Sequence, residues 1–193
     1  MKPVTLKEIL PFEQYETLRP LLRPLFIAEK DRRRLALTDH MTLLFENVQT
    51  VWYQVEEMLR TERISAEAAV RHEIDTYNEL LPRPGELSAT MLIEYGDAAQ
   101  RETALRELVG LERHLWIKVD QRREAVRFDE RQISSDRVSA VQFVRFPLGG
   151  LDSAEFISLA KAEKLAIEVD HPRMQGRTFI AGMLAQALAQ DLG

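Results

Sequence analysis

A change of rhythm after residue 81 constrains this chain more than any other feature. Up to Leu81 the apolar residues recur at three- and four-residue intervals, and beyond Pro82-Arg83-Pro84-Gly85 they alternate singly. The first spacing belongs to helices buried on one side, the second to half-buried strands. Two prolines and a glycine stop either pattern from running through the junction. The expected class is therefore α+β: a helical N-terminal half with a helical hairpin over about 48–81, then a mostly antiparallel sheet with two or three covering helices. The length, 193 residues, suits a single domain over 1–193, mainly helical in 1–84 and sheet-containing in 85–193.

Local signals fill in the elements. Thr5-Leu6-Lys7-Glu8 fits a capping box that opens a short helix. Tyr15, Leu18, Leu22, Leu25 and Phe26 share a helical face, and Pro20 and Pro24 predict a kink or break in that helix before residue 30. Two strand-like pieces flank a turn at Thr38-Asp39, although a helix would also absorb part of them. From Val48 onward Val51, Trp52, Val55, Met58 and Leu59 form an apolar stripe, with Thr50, Tyr53, Glu57 and Arg60 on the polar side. Ser65 is expected to cap a second helix that turns Ala69, Val70, Ile74 and Tyr77 inward.

After Gly85, Leu87, Ala89, Met91 and Ile93 predict a strand, and Asp97 opens a helix that Gly110 ends. Leu115 to Val119 and Val126 to Phe128 read as a hairpin around the polar turn Asp120 to Arg123. Val141 to Phe146 is another strand, and Asp152-Ser153 caps a helix. Leu165, Ile167 and Val169 read as a last strand, stopped by Pro172. Ile180, Met183, Leu184, Ala187 and Leu188 give a final amphipathic helix.

Composition excludes several chemistries. The chain has no cysteine, which removes disulfides, thiol catalysis and a cysteine-ligated cluster. A net charge of −5 makes a nucleic-acid partner unlikely on physical grounds, since such proteins carry a basic face. No apolar run approaches the ~18 residues of a membrane helix, and no secretory leader is visible, so the expected location is cytoplasmic. No phosphate loop, dinucleotide fingerprint or serine elbow occurs.

Three groups of polar residues carry whatever chemistry remains. Glu46, Thr50, Tyr53, Glu57 and Arg60 share one side of the first hairpin helix, and His72 and Asp75 lie one turn apart on the second. Were those sides to meet, Glu57, His72, Asp75 and Glu46 would surround one site, with ligand types suited to iron, manganese or zinc. The competing reading is a solvated face with weak ion pairs. Lys30, Arg32, Arg33 and Arg34 would clamp an anion or a nucleotide phosphate; alternatively they complement their own helix end and pair with Glu29 or Asp31. His40 and His171 each follow an aspartate, but adjacent residues do not face each other, and His40 would serve as a proton carrier only if an acid elsewhere oriented it. A turn histidine bonded to backbone is the plainer alternative. His114 has no partner in sequence.

The residues Arg33-Arg34, Leu43-Leu44-Phe45-Glu46-Asn47, Glu57-Met58-Leu59-Arg60, Asp75-Thr76-Tyr77-Asn78, Glu86-Leu87-Ser88-Ala89-Thr90, Asp136-Arg137-Val138-Ser139-Ala140-Val141 and Val169-Asp170-His171-Pro172 resemble the signature of a bacterial family of uncharacterised proteins, a domain of unknown function. The resemblance spans most of the chain and is densest over 41–90. It implies no reaction. It does imply genes encoded near rubrerythrin-like and iron–sulfur oxidoreductase proteins, and so an accessory protein of redox or peroxide metabolism that docks on a redox enzyme. The interface would be the hairpin's polar face and the arginine cluster, and any cluster of iron and sulfur would belong to the partner.

Overall fold

A computed structural model describes residues 1–192. The N-terminal capping box forms as expected around a 3-10 turn, Leu6–Glu8. Helix α1 (Phe12–Arg32) then runs without a break through Pro20 and Pro24. Both prolines are exposed, so the carbonyls they leave without a donor, those of Glu16 and Pro20, lie on the solvent side, where water satisfies them. The chain turns back through strands β1 (Arg34–Thr38) and β2 (Met41–Phe45) into helix α2 (Val48–Glu62) and helix α3 (Glu67–Asn78). Asn47 caps α2, accepting from the Thr50 amide, while Thr50 Oγ1 accepts from the Asn47 amide. At the hairpin bend, Arg63 takes a left-handed conformation (φ 53°) and the Ile64 amide reaches back to Leu59 O. Ser65 does not cap α3: Ala66 holds that position with no side-chain bond.

Strand β3 (Glu86–Ile93) is followed by α4 (Ala98–Glu107), capped by Asp97, and by β4 (Leu115–Val119). The β4 turn is tighter than the sequence indicates. Asp120 adopts positive φ, and β5 (Arg122–Ala125) begins at once. The expected return strand, Val126 to Phe128, instead crosses to another sheet as β6 (Arg127–Phe128). Strand β7 (Val141–Pro147), α5 (Ser153–Lys161), β8 (Leu165–His171), β9 (Met174–Phe179) and α6 (Gly182–Ala189) complete the order.

All pairings are antiparallel, in two sheets of order β1-β2-β3-β7-β6 and β5-β4-β8-β9. Because β1 and β2 pair onto β3, residues on both sides of the Pro82–Gly85 junction build one sheet. The alternating residues Leu87, Ala89, Met91 and Ile93 face a core shared with β4, β8 and helices α4 to α6. A second core joins Val4, Val51, Val55, Leu59, Val70, Ile74 and Leu81, the inner faces of the hairpin and the N-terminal segment. Met183, expected on the inner side of α6, points outward and is 74% exposed.

Strand β9 has no counterpart in the sequence reading, which placed the last strand before Pro172. Its residues Gln175, Gly176 and Arg177 lack apolar alternation because the strand sits at a sheet edge, where polar side chains discourage further pairing. Gly176 allows β9 to approach β1: a Cβ there would lie 2.6 Å from Leu37 O. Gly176→Ala is therefore expected to cost about 1–3 kcal/mol of stability, as overpacking against backbone does. Urea denaturation of the variant measures it, and an unchanged midpoint would refute the close contact.

Candidate functional site

The polar side of α2 meets α1, not α3. Arg19 grips Glu57 through both carboxylate oxygens, Nε to Oε1 at 2.7 Å and Nη2 to Oε2 at 2.9 Å, and the Tyr15 hydroxyl donates to Oε1 at 2.7 Å. The Arg19 bond holds the Glu57 carboxyl below the usual carboxylate range. Arg60 pairs with Glu16 on α1. Tyr53 stacks on Phe26 at 4.8 Å between ring centres, with the Lys30 ammonium 5.2 Å from its ring. Glu57 is thereby turned away from His72 and Asp75, which stand exposed on α3. Among the described residues, no three histidines and carboxylates gather closely enough to hold a metal ion.

The arginine cluster also comes apart in three dimensions. Arg34 is exposed on β1, Arg32 pairs with Glu29, and Lys30 lies over Tyr53. Burial lowers the Lys30 pKa. Arg33 is 1% exposed and donates to Glu29 (2.6 Å), to both oxygens of Asp191 (2.7 and 2.9 Å) and to Ala187 O (3.3 Å). Burial opposes its charge, but Asp191 and Glu29 outweigh it and hold the guanidinium protonated. No shared basic face for an anion results from these positions.

The histidines have ordinary partners. His40 Nδ1 lies 3.0 Å from Glu94 O, and its ring stacks on Tyr95. His171 is buried, accepts from the Arg173 amide and faces Val109 O, and burial lowers its pKa. The pairing absent from the sequence reading is His114 with Asp170, at 2.9 Å across β4 and β8. Arg123 and the Trp116 indole also donate to Asp170, whose carboxyl is held down to about 2 chiefly by Arg123. The cross-strand register that joins them is a long-range property, which no local spacing encodes.

What remains is a groove of about 1330 Å³ between α3, the residues after it, and the β6–β7 side of the larger sheet. Glu46, His72 and Asp75 all line it. Glu46 is 3% exposed and accepts from Thr50 Oγ1 at 2.5 Å and Thr90 Oγ1 at 2.6 Å. Hydroxyls and the positive N-terminal end of α2 stabilise this carboxylate, and no lysine or arginine among the described residues pairs with it. Around it the arginines are already committed: Arg131 to Glu79 and Asp129, and Arg145 and Arg127 to Glu86. Asp75 and Glu130 carry no such partner among the described residues, and neither do Arg83 and the Met1 ammonium, which line the same groove.

Fold and site together define a two-sheet α+β protein with a helical hairpin and a groove of mixed charge around a buried carboxylate, with no recognisable catalytic constellation among the described residues. The chain belongs to the family described as "Protein of unknown function (DUF3501)", which matches residues 3–192. It is also similar to a solved structure, a novel protein of unknown function from Burkholderia pseudomallei, at 35% identity over 100% of both chains with a TM-score of 0.87. No curated protein matches the sequence. Among the described residues, no helix is long and apolar enough to cross a membrane.

Proposed function

We propose that the chain is an accessory binding protein whose groove receives a basic polypeptide segment of a partner. The observation that supports this is the buried Glu46 carboxylate, which lines an open groove and is hydrogen-bonded by hydroxyls alone, with Lys30 acting on it only through space. A buried carboxylate with no cation in direct contact is costly, and a lysine or arginine side chain from a partner offsets that cost. Asp75 and Glu130 add the same sign at the rim, where charge steers association. A redox enzyme is the partner that the family resemblance suggests; the groove supports the charge of the segment and not its owner.

The test is fluorescence anisotropy with a labelled lysine- and arginine-rich peptide and an acidic peptide of equal length. The basic peptide is expected to bind and to weaken with salt. Glu46→Gln should weaken it by about thirtyfold or more, as removing one member of a buried charge pair does. Asp75→Asn, at the rim, should slow association with a smaller loss. Equal binding of the two peptides, or affinity indifferent to Glu46→Gln, would overturn the proposal.

A metal reading of the same residues draws support only from Glu46, His72 and Asp75 sharing the groove. Elemental analysis after purification without chelator tests it, and protein free of stoichiometric iron, manganese or zinc would remove it.

A further inference from the structure

Glu56 takes no part in the groove, although it is among the least exposed carboxylates of the chain, at 2%. It projects from α2 toward the N-terminal segment, where the Leu10 amide donates to Oε1 at 2.8 Å. That is its only hydrogen bond among the described residues; Oε2 has none. Glu56 also lines a second pocket, of about 350 Å³, whose walls include Leu6, Ile9, Phe12, Leu59, Ile64 and Val70.

Ser65 lies exposed at the rim of this pocket, and the remaining polar side chains around it are engaged elsewhere. The Tyr15 hydroxyl donates to Glu57, Arg60 pairs with Glu16, and Glu67 pairs with Arg71. Among the described residues no group donates to Oε2, which keeps some solvent access and is free to accept from a ligand. The volume lies at the lower end of small-molecule sites, which run from about 300 to 1,000 Å³ and place a few polar groups in apolar walls.

We infer that this pocket binds a small primary amine with an apolar body, its ammonium donating to Glu56 Oε2 and its alkyl or aryl part lying among Leu6, Ile9, Leu59 and Val70. An acceptor in an apolar cleft selects a donor, and an ammonium adds the opposite charge that a hydroxyl lacks. The apolar walls select a ligand with hydrocarbon to bury and give a bare ammonium ion nothing. This site is separate from the groove and uses none of its residues.

Isothermal titration of the full chain with hexylamine and phenethylamine, against hexanol as the uncharged comparison, tests the assignment. Hexylamine is expected to bind about tenfold to a hundredfold more tightly than hexanol, the worth of a charged hydrogen bond. Glu56→Gln should erase that preference. Ser65→Trp, at an exposed residue of the pocket, should block both ligands without disturbing the core.

Proton linkage supplies an independent readout. Burial pushes the Glu56 carboxyl up to about 7, so amine binding at pH 6 should drive release of most of a proton, seen as heats that depend on the buffer, and release should fade by pH 8. If Glu56→Gln fails to fold, the Ser65→Trp result and proton release still decide. Equal affinity for amine and alcohol, amine binding that survives Glu56→Gln or Ser65→Trp, or binding at pH 6 without proton release would each overturn the assignment. Failure here would leave peptide binding in the groove untouched.

Discussion

Arg33→Met is expected to lower the unfolding free energy by about 3–5 kcal/mol, the cost of breaking a buried ion pair from one side. The reason is the network that the guanidinium centres. Arg33, at the end of α1, ties Glu29 to Asp191, which follows α6. Glu29 in turn accepts from Asn47, the cap of α2, and Asn47 exchanges bonds with Thr50, which donates to Glu46. Without Arg33 the buried Asp191 carboxylate loses its ion pair, and Glu29 is left with Arg32 and Asn47 alone. Burial already pushes the Asp191 carboxyl up, with Arg33 alone opposing strongly. Equilibrium urea denaturation measures the loss. The triple change E29Q/R33M/D191N should recover much of it, because no uncompensated charge then remains buried. An Arg33→Met protein as stable as the parent would mean that α1 and α6 are held together by something else.

The second large effect is on pH dependence, through Glu56. Its carboxyl titrates near 4.5 when unperturbed and at about 7 in the fold, because burial disfavours the charge; the Leu10 amide opposes this less strongly. The folded state thus holds the proton more tightly than the unfolded chain. The contribution is fully present below about pH 4.5, declines as pH rises through that window, and is lost above about 7. Its size is on the order of 2–3 kcal/mol. Glu57 and Glu29, whose pKa values are lowered, act with the opposite sign and lose stability as pH falls, so the parent protein should be most stable between these limits. Comparing parent and Glu56→Leu isolates the term: their stability difference should change by that amount between pH 4.5 and 7.5. Parallel curves would refute it.

How much of the site was legible follows from how far each interaction reaches. That Tyr53, Glu57 and Arg60 share a helix side follows from spacing alone, but Glu46 precedes the first residue of α2 and faces the groove instead. What covers that side depends on α1 folding across α2, some forty residues away in sequence, and Arg19 and Tyr15 carry no local mark of their target. The cluster Arg32-Arg33-Arg34 reads as a surface feature because arginine is usually exposed; only Glu29 lies close enough in sequence to hint at pairing, and Asp191 does not. Glu56 had no signal either, since a carboxylate beside another on an amphipathic helix reads as polar surface. Spacing points to Glu46, His72 and Asp75 as neighbours, and they do line one groove, although Glu57 does not.

The chain's sequence by itself determined its elements and many of their ends. Period, capping and turn chemistry act within three or four residues, which is why Thr5, Asp97 and Asp152 open helices where their side chains allow it. Tertiary structure decided what each inward face packs against. Pairing β1 and β2 onto β3, laying β9 against β1 through Gly176, and burying Arg33 between two acids are contacts between residues far apart in the chain. Their energies come from surfaces that meet only after the chain has collapsed, so no short stretch of residues records them.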